Sequence, residues 1–99
     1  MIRALPGRFD GGGLAAMIFF NIPDNGVLLS QLPTILLAED DINPRSLDHR
    51  LAYNFNKRVR AQVTALKRKG MIRTEPTYNV GNIKPLILIK RNYPVKKQA

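Results

Sequence analysis

Asn56, Arg60 and Thr64 lie in a stretch, 55–69, that also holds Lys57, Arg58, Lys67, Arg68 and Lys69 and contains no acidic residue. A carboxamide presents a donor and an acceptor side by side, a guanidinium presents parallel donors, and a threonine offers a hydroxyl and a methyl group. These groups match base edges in the major groove of duplex DNA: Asn suits adenine, Arg suits guanine, and Thr can accept, donate or pack on a thymine methyl. The other cations suit phosphates, so Lys57, Arg58 and Arg68 are expected as backbone clamps. Farther along, Asn79, Asn82 and Lys84 fall in a turn-rich connection able to follow a phosphate track or enter the adjacent minor groove.

Other chemistry lacks its parts. His49 is the single histidine, it precedes Arg50 on a polar stretch, and no Ser-His-Asp arrangement accompanies it, so an enzyme is not expected. Gly11-Gly12-Gly13 is not followed by the Gly-Lys-Ser/Thr of a phosphate-binding loop. Glu39-Asp40-Asp41 lacks the spacing of a calcium loop, and the absence of cysteine removes disulfides and thiolate metal sites. Neither a metal nor a cofactor is expected. Tyr53, Tyr78 and Tyr93 are scattered, without the paired stacking motif of an RNA-binding sheet, which favours a duplex over a single strand.

The charge is segregated along the chain. Residues 1–43 carry two basic and five acidic side chains, and residues 44–99 carry fourteen basic and two acidic ones, so a net charge of +9 is concentrated in the second half. Such concentration suits a surface that neutralises phosphates. The 99 residues are 44% hydrophobic, which is enough for one folded domain and too much for a wholly disordered chain. The longest apolar run, Leu14 to Phe20, is far short of a bilayer span, and no small-residue cleavage site follows it. A cytoplasmic protein without a membrane segment is expected.

The elements that must position these residues follow from local signals. Asp10 can cap a first helix, from about Asp10 to Asn21, with Leu14, Met17, Ile18 and Phe20 inward, although three glycines in its first turn disfavour an early start. Asp24-Asn25-Gly26 is a turn and Val27-Leu28-Leu29 a short extended segment. Ser30 can cap a second helix, Gln31 to about Glu39, whose acidic end opposes the macrodipole and is expected to be solvated. Asn43-Pro44 has the order of N-cap and first helical residue. Leu47, Leu51, Phe55, Val59 and Val63 recur every four residues, and that stripe rotates by about 160° over its length on a straight helix. A break at Asn54 and Asn56 is therefore predicted, giving a lead-in helix near 44–53 and a second from about 55 to 69, closed by Gly70. Met71–Glu75 and Leu86–Lys90 read as strands, the second apolar on both faces.

This layout, and above all the run Val59-Arg60-Ala61-Gln62-Val63-Thr64-Ala65-Leu66-Lys67-Arg68-Lys69-Gly70-Met71-Ile72-Arg73, resembles the winged helix-turn-helix class. The likeness spans about residues 10–90 as a layout and 55–73 as a motif, in which Val and Leu pack inward, cations close the helix and glycine leads into the first wing strand. Asp40 to Asn54 is longer than the tight turn usual in the class. The resemblance implies an α+β, mainly α fold of three or four helices with a C-terminal β-hairpin wing, in a domain of residues 1–90 followed by a basic, flexible tail, 91–99. It further implies a sequence-specific DNA-binding protein, a small transcriptional regulator, with helix 55–69 in the major groove and wing 71–90 on the backbone or minor groove. The alternative is an interaction module docking on a polymerase or replication factor through its basic face or through the first helix, where Phe19 and Phe20 stand about 100° apart. One winged domain reads few base pairs, so a homodimer is expected, formed through that helix or through Leu86–Ile89.

Overall fold

The computed structural model describes residues 1–78 and 85–93. Its α+β, mainly helical architecture contains, in chain order, α1 (Gly11–Phe20), β1 (Val27–Leu28), α2 (Leu32–Ala38), α3 (His49–Arg68), β2 (Ile72–Thr77) and β3 (Leu86–Arg91). The strands form one antiparallel sheet in the order β1-β3-β2. A core of Phe9, Leu14, Ile18, Leu32, Leu36, Phe55, Val59, Ile72 and Ile89 joins all three helices to one face of the sheet.

Helix α1 begins at Gly11, where the Asp10 carboxylate accepts from the Gly11 N–H at 2.9 Å. The glycines do not delay it, and one of them is required: a Cβ on Gly13 would lie 2.8 Å from the Arg8 carbonyl oxygen. Leu14, Met17 and Ile18 turn inward as expected, but Phe20 does not, remaining 65% exposed. Between α1 and α2, Ser30 sits inside a 3₁₀ turn (Leu29–Gln31) and makes no cap bond. Helix α2 instead starts at Leu32 with Pro33 in its first turn, where the missing N–H costs no intrahelical bond. Its acidic end is not left to solvent. Arg8 donates to both Asp40 carboxylate oxygens and approaches Glu39 at 3.6 Å. Asp41 adopts a left-handed φ of +55°, and the Ile42 N–H reaches back to the Leu37 carbonyl at 3.0 Å in the manner of a Schellman ending.

The predicted break at Asn54 and Asn56 is absent, and α3 runs unbroken for 20 residues. Asn43 and Pro44 open only a 3₁₀ turn (Pro44–Ser46), with the Asn43 carboxamide oxygen accepting from the Arg45 N–H at 3.0 Å. Leu47, the first member of the apolar series, is extended and lies outside the helix. Without it, Leu51, Phe55, Val59, Val63 and Leu66 cover an arc of about 120°, an ordinary buried face for one helix. The helix ends as its sequence indicates: Gly70 takes φ +75°, and Met71 N–H bonds the Leu66 carbonyl at 3.1 Å.

Strand β3 is the central strand, with Ile89 paired to Val27 on one side and Thr74 on the other; Ile89 is buried in the core, whereas Ile87 is 46% exposed. Pro76 is tolerated in β2 because that strand is an edge. The chain is still fastened beyond residue 90. Arg91 belongs to β3, the Asn92 N–H donates to the Met71 carbonyl (2.9 Å), and its amide Nδ2 donates to the Gly70 carbonyl (2.8 Å). Of the tail expected at 91–99, Arg91 and Asn92 are thus fastened to the sheet and the turn before it, and residues 94–99 lie outside the described ones. At the other end, Ile2 lies parallel to Leu47, donating to the Ser46 carbonyl (2.7 Å) and accepting from the Asp48 N–H (2.8 Å). This pins the N-terminal segment beside the start of α3.

Candidate nucleic-acid interface

Helix α3 carries six cations, Arg50, Lys57, Arg58, Arg60, Lys67 and Arg68, and no carboxylate. Its apolar arc is buried by α1, α2 and β2, so the polar remainder is turned outward. Among the described residues none of these six cations forms an ion pair. The side therefore presents uncompensated positive charge, while carboxylates pair with cations elsewhere.

Taking Phe55 as the origin, 100° per residue places Asn56, Arg60, Thr64 and Lys57 at about 100°, 140°, 180° and 200°, one contiguous exposed sector. The three proposed base readers thus share a side, with Lys57 at its border. Lys57 Nζ lies 5.3 Å from the centroid of the exposed Tyr53 ring, a cation–π contact that limits where the ammonium can go. The Thr64 hydroxyl donates to the Arg60 carbonyl at 3.0 Å. With its proton engaged within the helix, Thr64 has its lone pairs and its methyl group turned outward for a base.

Two hollows flank this sector. Between α3 and the sheet, a groove of about 440 Å³ has Val63, Leu29 and Ile87 on its floor and Arg60 and Lys67 beside it. Between α3 and the start of α2, a smaller hollow is lined by Asn56, Arg60, Ser30 and Pro33. Neither contains an acidic residue. Lys67 belongs to this surface although sequence reasoning gave it only to the helix ending. Its seven-residue spacing from Arg60, two helical turns, was the available signal.

The remaining expected residues are placed elsewhere. Arg58, about 300° from Phe55, lines a different cleft with Arg3 and Arg50. Arg68, at about 220° and near the C-terminal end, faces away from the groove beside the sheet. Asn79, Asn82 and Lys84 lie outside the described residues. On the outer face of the sheet, Glu75 receives Arg73 at 3.2 Å and Lys90 at 3.3 Å. The hydrogen bond from Arg73, followed by that from Lys90, holds the Glu75 carboxyl below the ordinary carboxylate range.

Among the described residues no group of acidic or histidine side chains is arranged to hold a metal ion, and no helix is long and apolar enough to cross a membrane. Comparison of the chain with protein-family models, with curated proteins and with solved structures finds no match.

Proposed function

We propose that the chain is a winged-helix protein that binds duplex DNA through α3. The observation that carries this reading is a 20-residue helix whose exposed side bears six cations, no carboxylate and no internal ion pair. The element order and the β1-β3-β2 sheet are compatible with a winged helix, in which β2 and β3 form the wing. Asn56, Arg60 and Thr64 face bases in the major groove, and Lys57, at the border of that sector, and Lys67, two turns beyond Arg60, hold phosphates. Regulation of transcription is the role that suits a sequence-specific protein of this size. The test is duplex affinity against salt: with Lys57, Lys67 and Arg60 at the duplex, log affinity falls against log salt with a slope of about −2 to −3. An affinity unaffected by salt excludes the mechanism.

A second reading, docking on another protein or on a second copy of the chain, is favoured by α1. No charged residue occurs from Gly11 to Ile22, and Phe20 projects its ring into solvent. A patch of that kind is suited to a homodimer, because a two-fold contact sets like residues against like and charge would repel. Sedimentation of wild type and Phe20→Ser decides it: a dimer lost on substitution supports the contact, and a wild-type monomer removes it.

A further inference from the structure

We infer that the cleft at the start of α3 is a phosphate-binding site, separate from the sector that carries Asn56, Arg60 and Thr64. Arg50, Asn54 and Arg58 follow one another at four-residue intervals and form a ridge along α3, about 220° to 300° round from Phe55. Facing them across a cleft of about 340 Å³ is Arg3. That residue is 47 positions from Arg50 in the chain, yet it is not a loose terminal side chain. Backbone bonds on both sides of Ile2, to Ser46 and from Asp48, fix the strand that carries it.

Three arginines therefore line one concave surface, and among the described residues none of them is within ion-pair distance of a carboxylate. Asp48 lines the same cleft and pairs with none of them. On the sheet and around the end of α2 the arrangement differs, since Arg8, Arg73, Lys90 and Arg91 each have an acidic partner. Gathering three like charges beside a single unpaired carboxylate is unfavourable. An external anion removes that cost, and the forked geometry of guanidinium matches phosphate oxygens, with the Asn54 amide as an additional neutral donor. Several cations around an open cleft suit a chain of phosphates better than a single carboxylate.

The phosphate can come from a nucleic-acid backbone or from a small polyphosphate ligand, and one set of measurements separates them. The full chain, labelled with ¹⁵N, is titrated with inorganic tripolyphosphate, and the titration is repeated on Arg3→Gln/Arg50→Gln. Saturable amide shifts centred on residues 3–5 and 48–58 are expected, with an affinity loss of about tenfold or more in the variant, which keeps the wild-type melting temperature. Shifts centred instead on Arg60 and Lys67, or a well-folded variant that binds tripolyphosphate like wild type, overturn the site. If the variant fails to fold, Arg3→Lys and Arg50→Lys, which retain charge but lose the fork, replace it under the same criteria. Weaker duplex binding by the variant assigns the phosphate to a nucleic-acid backbone, and unchanged duplex binding assigns it to a small ligand. A wild-type chain that ignores duplex DNA but binds tripolyphosphate here ends the DNA reading and leaves this site standing.

Discussion

The outer face of the sheet and the exposed side of α3 are both basic, and they treat their charge differently. On the sheet, Arg73 and Lys90 close on Glu75 from two strands, so the carboxylate sits between cations at 3.2 and 3.3 Å. On α3, six cations occupy 20 residues without one acidic neighbour in the helix. Net charge alone does not distinguish these surfaces. Charge that is neutralised within the fold supports the fold, whereas charge left unpaired is available to an anion from outside.

The largest expected effect tests whether α3 keeps its two jobs on separate sides. Phe55 is fully buried and meets Phe9 edge-on, with ring centroids 5.8 Å apart. Phe55→Ala should cost about 3–5 kcal/mol of stability by denaturant unfolding, through lost contacts and a residual cavity. Leu66→Ala, also buried, should cost about 2–5 kcal/mol. Lys57→Ala and Arg60→Ala, on the exposed side, should stay within about 0.5 kcal/mol of wild type. A Leu66→Ala protein that melts normally but binds poorly would mean the helix is turned the other way.

The next effect separates α3 from the sheet by binding. Arg60→Ala should lose about 1–3 kcal/mol on a preferred duplex and far less on random DNA, while Lys57→Ala should weaken both alike. Arg73→Ala, whose guanidinium is already occupied by Glu75, Asn92 and the Arg91 carbonyl, should leave duplex binding unchanged. Gel-shift titrations on the two DNAs check all three. Equal losses from Arg60→Ala and Arg73→Ala would erase the distinction between the surfaces.

A smaller effect concerns the joint between them. Gly70 carries the chain from α3 into β2 with φ +75°, and nothing lies within 4 Å of where a Cβ would be. Gly70→Ala therefore meets only the left-handed backbone penalty, about 1–2 kcal/mol, with no added clash. Thermal unfolding measures it, and a neutral result would show that the turn relaxes to another conformation.

What was legible in the sequence was what local chemistry decides. Asp10 and Gly70 punctuate the helices, and the apolar residues around Leu14, Val59 and Leu86 define segments whose types are borne out. The misreadings came from contacts between distant residues. Leu47 joins a four-residue series on paper, but it is extended beside Ile2, which bonds the flanking Ser46 and Asp48, so it lies outside the helix and the series exaggerates the rotation of the stripe. Arg8 reaches Asp40 across 32 positions, and no local rule pairs them. For the candidate site, helical spacing brings Asn56, Arg60 and Thr64 together and sets Arg58 about 120° or more from each of them, whereas spacing does not say that Arg3 shares a cleft with Arg58.

The smallest effect works on Glu75 itself. Its carboxyl is held below the ordinary range by Arg73 and then Lys90, so the folded state favours the ionised form more than the unfolded state does. The stabilisation is complete above the unfolded carboxyl's pKa and is lost as pH falls through the lowered folded value. Wild type should accordingly exceed Glu75→Gln slightly in melting temperature at neutral pH, and the difference should close in acid and shrink in high salt, because the group is exposed. The same variant releases Arg73 and Lys90 and so makes the sheet resemble α3 in charge. If α3 alone faces the phosphates, the salt slope of duplex binding stays at its wild-type value. A steeper slope in Glu75→Gln would show that the freed cations reach the duplex, and that the carboxylate on the sheet had been restraining a second binding face.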